Sequence, residues 1–84
     1  MPPIADAEHV NLLLQGVEEW NRRRPHWANL ADADLMNLDL RGANLSNAGM
    51  WGVTLIRSDL SDVILDNSDL EHASLARCRK YMRE

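Results

Sequence analysis

The residues of this chain that could do chemistry are few and far apart. His9, His26, His72 and Cys78 are its only histidines and its only cysteine, and no two of them stand at the close spacing of a zinc site. His9 belongs to a predicted helix surface, His26 beside Trp27 to a connector, and His72 follows Glu71 in what reads as a solvated pair. Asp39 and Asp59 are the candidates for paired carboxylates, but acid/base work requires a pocket that sets their pKa values apart. Gly49 and Gly52 flank Met50 and Trp51 and do not make the glycine-rich run of a phosphate loop. They read as corner residues. No catalytic, cofactor-binding or metal site is assigned, and an enzyme is not expected.

What positions these side chains is a period of five. Leu30, Leu35, Leu40, Leu45, Met50, Leu55, Leu60, Leu65, Leu70 and Leu75 follow one another at that interval, although Leu is only 13 of 84 residues. Two places before each stands a smaller or modest side chain: Ala28, Ala33, Leu38, Ala43, Ala48, Val53, Ser58, Val63, Ser68 and Ala73. Five is neither the 3.6 of a helix nor the 2 of a flat strand. A chain that turns a corner every five residues aims the Leu and the smaller residue inward and leaves the other three in water. Four such sides close a square coil, and coils stack through backbone hydrogen bonds at about 4.8 Å. A second large inward residue would overfill the interior. Ser58 and Ser68 fit inside if their hydroxyls bond nearby backbone. Cys78 occupies the same slot and is expected to be a buried structural thiol. Lys80 then stands where Leu is due, and the repeat ends.

Ala28-Asn29-Leu30-Ala31-Asp32, Ala33-Asp34-Leu35-Met36-Asn37 and Ala43-Asn44-Leu45-Ser46-Asn47 resemble the A(D/N)LXX unit of the pentapeptide-repeat family. The resemblance runs through residues 28–77 and implies an all-β solenoid, a right-handed quadrilateral β-helix of about two and a half coils. The lead-in Leu14-Gln15-Gly16-Val17-Glu18-Glu19-Trp20-Asn21 is similar to the helical cap of many bacterial members. Leu38 in a small slot, Met50 in a Leu slot and Ile64 in an Asp/Asn slot depart from the pattern, the first two predicting local repacking.

Three segments follow: residues 1–27 as an N-terminal capping helix and connector, 28–77 as the β-helix, and 78–84 as a C-terminal tail. Over residues 6–22, Ala7, Val10, Leu13, Leu14, Val17 and Trp20 make one helical stripe. Asp6 is placed to cap it, and Pro25 to close it. Gly16, costly inside a helix, marks a close packing contact. Leu13, Leu14, Val17 and Trp20 are expected to cover one mouth of the stack.

Net charge of −4 gives no electrostatic case for nucleic acid or an anionic membrane. The lone cysteine, the lack of a signal-like start and of a long apolar run predict a cytoplasmic protein. At twenty residues per coil, outward columns read Met36/Ile56/Ala76, Asn37/Arg57/Arg77 and Ala31/Trp51/Glu71. The candidate interaction surface is Met36, Trp51, Ile56, Arg57 and Arg77, with Tyr81 and Met82 of the tail at the open C-terminal end. The expected function is a noncatalytic protein–protein interaction or assembly module, pairing with a protein partner or a second copy of itself as a homo-oligomer. The alternative is a DNA mimic acting on a type II topoisomerase (gyrase), which some relatives are. Residues 28–77 carry eight acids against three Arg, with Asp39, Asp59 and Asp62 on one side, but a stack of about 12 Å spans few base pairs.

Overall fold

The computed structural model describes residues 4–78. It opens with two short helices, α1 (Ala7–Leu14) and α2 (Val17–Arg23), where the apolar stripe predicts one. The break is at Gly16, whose φ of 123° lies where side-chain-bearing residues rarely go. A Cβ there would meet nothing within 4 Å, so the residue serves the bend and not a close contact. The bend undoes the single stripe. Leu13 and Trp20 are buried and Val17 is half-buried, but Leu14 turns outward and is 50% exposed. Asp6 caps α1 by accepting from the N–H groups of Glu8 and His9. Arg24, ahead of Pro25, takes ψ 146° and ends α2. Among the described residues no helix is long and apolar enough to cross a membrane.

Beyond the helices the chain pairs with itself in parallel at an offset of twenty residues. The two-residue strands β1 (Ala28–Asn29) and β2 (Ala48–Gly49) are in register. Isolated bridges join Asp34 to Thr54 and Thr54 to Ser74, Asp39 to Asp59, Asn44 to Ile64, and Gly49 to Asp69. These make four ladders, each one residue ahead of a Leu of the series. Long strands do not appear, because a corner every five residues leaves about one residue per side free to pair. On each side the first coil donates two backbone N–H groups and accepts one. Leu35 and Asn37 donate to Thr54 and Ile56, and Thr54 donates back to Ala33, at 2.8–3.0 Å.

The corners show why the other three positions are polar. The second residue after each Leu has positive φ at every unit from Asp32 to Arg77. Only Gly42 and Gly52 are glycine there; Asp, Asn, Arg and His fill the rest. A turn closed by Ala33 N–H on Leu30 C=O, and by its equivalents, requires positive φ at its third residue. Where Asp or Asn precedes the Leu, its side chain accepts the N–H two residues on, as Asn29 does from Ala31, Asp34 from Met36 and Asp69 from Glu71. The side chain thus braces the corner.

Inside, Leu30, Leu35, Leu40, Leu45, Met50, Leu55 and Leu60 are buried with Ala28, Ala33, Ala43, Ala48 and Val53. Leu65, Leu70 and Leu75 are only half-buried, a departure from the uniform core that the repeat predicts. They lie in the last described coil, with no further described coil above them. Leu38 does alter its surroundings. At that corner the Leu35–Leu38 backbone bond is replaced by the Ser58 hydroxyl, which accepts from Leu38 N–H and donates to Leu35 C=O. The thiol of Cys78 donates to Leu55 C=O in the same way one coil later, and is half-buried.

Candidate interaction surfaces

The N-terminal edge of the first coil must satisfy backbone groups that have no preceding coil to pair with. On two of four sides the helical segment does so. On the Asn29 side, His9 Nδ1 accepts from the Asn29 N–H at 3.0 Å, and the Asp6 N–H donates to the Asn29 carbonyl at 3.0 Å. On the Asn44 side, Asn21 Oδ1 accepts from the Asn44 N–H at 2.7 Å and Trp20 Nε1 donates to the Asn44 carbonyl at 2.8 Å. Asn21 Nδ2 also reaches the Gly42 carbonyl, and Arg24 the Ser46 carbonyl. Trp20 is fully buried while making its bond, so one side chain plugs the mouth and caps the edge. None of these polar roles was legible in the sequence, where Trp20 reads as apolar and His9 as helix surface.

On the Asp34 and Asp39 sides no described residue pairs with the edge. Asp39 holds Arg41 in a two-point ion pair at 2.8 Å through both Nε and Nη2. Arg41 also stands 3.9 Å from Asp59. Stacking of Asp39 against Asp59 predicts that repulsion raises the pKa of one of the two, and at Asp39 the shift runs the other way. Hydrogen bonds from the Arg41 side chain, then from its backbone N–H, lower the Asp39 pKa to about 2, with charge attraction adding to them. The Arg41 pKa is raised by the same contact. Asp59 braces its own corner by accepting from Ser61.

Met36, Trp51 and Ile56 are all half-buried. Met36 and Ile56 share one corner column, but Trp51 lies at the opposite end of the 53–55 side. Its ring meets His72 edge-on, with centroids 5.1 Å apart and planes at 71°. Arg57 and Arg77 are exposed at one corner in successive coils and border a hollow with Ser58, Asp59 and Cys78. Ala31, predicted to face outward, is buried and lines a groove with Ile4, Ala5, Ala7 and Val10. Tyr81 and Met82 lie outside the described residues.

The large apolar side chains that are exposed are others: Ile4 at 73%, Trp27 at 56%, Leu14 at 50% and Ile64 at 43%. Trp27 lies over Gly49, where an added Cβ would come within 2.9 Å of the ring. The glycine in a slot that elsewhere mostly carries Asp or Asn was the available signal for that contact. Ile64 is exposed for the same reason that it breaks the pattern, since its slot faces water.

At the far end the ladders stop. The N–H groups of Leu45, Met50 and Leu55 donate to Ile64, Asp69 and Ser74, whereas those of Leu65, Leu70 and Leu75 have no backbone acceptor among the described residues. Among those residues no group of three or more His, Cys, Asp or Glu is placed to hold a metal ion.

No curated protein matches the chain. Residues 26–62 match the family model described as pentapeptide repeats, in 8 copies, so that span is similar to a pentapeptide-repeat array, and the five-residue corners and twenty-residue register continue past it to Arg77.

Proposed function

We propose that this chain is a noncatalytic protein–protein interaction or assembly module that associates with a second copy of itself, its repeats winding as a right-handed quadrilateral β-helix of about two and a half coils. In this reading residues 1–27 are the cap and connector, 28–77 the β-helix and 78–84 a tail. The four ladders at a twenty-residue offset support the winding. The observation that carries the functional reading is the uncovered last coil, where Leu65, Leu70 and Leu75 are half-exposed and their N–H groups lack backbone acceptors among the described residues. Apolar surface beside unpaired strand edge is what a second chain covers at least cost. The interior is filled by Leu, Ala and Val, which fits a protein whose business is at its surfaces.

The acids do not favour the DNA-mimic alternative. Asp34, Asp39, Asp59 and Asp69 each brace a corner, so their presence follows from the fold. Light scattering across a concentration series tests the proposal. A mass of twice the chain or more is expected, and a strict monomer at high concentration overturns self-association. Trp51→Ser locates the interface. Loss of association places it at the Trp51 corner, and unchanged association leaves the uncovered end.

A further inference from the structure

The half-covered N-terminal edge has a second half with its own chemistry. The Asp34 N–H and carbonyl, the Met36 carbonyl, the Asp39 N–H and carbonyl, and the Arg41 carbonyl have no hydrogen-bond partner among the described residues. They repeat, side by side, the set that Thr54 and Ile56 present to the first coil: one donor and two acceptors. Such a set is filled by a strand running alongside, which donates two N–H groups and accepts one on each side. The sides at Asn29 and Asn44 already have their partners in His9, Asp6, Trp20 and Asn21. The open stretch is therefore bounded at both ends by the cap.

Its rim is acidic. Asp32, Asp34 and Asp39 are exposed along it, and Arg41 beside them is held by Asp39. Between the rim and the start of α2 lies a groove of about 680 Å³ bordered by Gly16, Val17, Asp39, Arg41 and Asp62. It has room for side chains of an incoming segment and more negative than positive charge to meet them. We infer that the edge from Asp34 to Arg41 receives a basic peptide segment of a protein partner, which bends at the Asn37 corner and pairs with both sides as a further turn. This rests on the reading of the chain as an interaction module but not on self-association. The two therefore fail separately, one by mass and the other by peptide.

The test is amide hydrogen exchange and chemical-shift mapping of the ¹⁵N-labelled chain with a short peptide alternating Lys and Val. In the free protein the Asp34 and Asp39 amides exchange faster than those of Asn29 and Asn44. With the peptide occupying about nine sites in ten they slow roughly tenfold, and shifts concentrate in residues 31–42. A Glu/Val peptide gives no protection, nor does a Lys/Pro peptide that keeps the charge but lacks alternate N–H groups. Equal protection by either control overturns the inference. So do the absence of binding, shifts centred elsewhere, or Asp34 and Asp39 amides already slow in the free chain, which would mean the chain covers this edge itself.

Discussion

Ser58 shows how one side chain repairs a local conflict. Leu38 is too large for its slot, its corner lacks the usual backbone closure, and the Ser58 hydroxyl joins the two groups left over. Ser58→Ala would strand a buried donor and acceptor and is expected to cost about 2 kcal/mol or more by chemical denaturation. Ser68→Ala, whose hydroxyl reaches only the Leu65 carbonyl at a half-buried site, should stay within about 1 kcal/mol. Equal costs would remove the bridging role. Asp39 supplies a pH test at the same scale. Its pKa is depressed, so its contribution is present above the ordinary carboxylate value of 3.8 and is lost as pH falls through about 2. A carboxyl NMR titration should place Asp39 near 2, and Arg41→Gln should return it towards 3.8. The repeat pattern predicted that Ser58 points inward and that its hydroxyl bonds backbone. Which groups it bonds was illegible, because they belong to residues twenty and twenty-three places away.

The elements were legible to different degrees. Five-residue spacing predicts both the corners and the register, since Leu and small residues recur without a slip from Ala28 to Leu75. The helical segment was harder. Its apolar spacing continues through Gly16, and only the backbone shows the chain bending there. Gly16→Ala should destabilise by about 1–2 kcal/mol even though the space is empty, because the penalty is conformational. A gain in stability would mean the two helices can fuse. Trp20→Phe keeps the apolar plug but strands the Asn44 carbonyl. A loss of about 1–2 kcal/mol is expected, smaller than the 3–5 kcal/mol of Trp20→Ala. The cap therefore works as a substitute coil made from side chains, which apolar periodicity cannot reveal.

At the scale of the molecule, the arrangement is a short leucine-filled stack with one end half-capped and the other uncovered among the described residues. Leu55 is buried in it, whereas Asn37 is exposed on a corner whose equivalents at 32 and 62 are Asp. Leu55→Asp should abolish folding, and Asn37→Asp should be nearly neutral, by thermal unfolding. The candidate surfaces were less legible than the core. Outward columns could be counted, but Ala31 is buried, and Trp51 makes an edge-on contact with His72. Coverage by distant segments is not written in the period. The register itself carries the whole account, and nuclear Overhauser contacts measure it directly. Backbone contacts between residues 34 and 54, 39 and 59, 44 and 64, and 49 and 69 are predicted. Their absence, with contacts instead between residues three or four apart through 28–77, would contradict it.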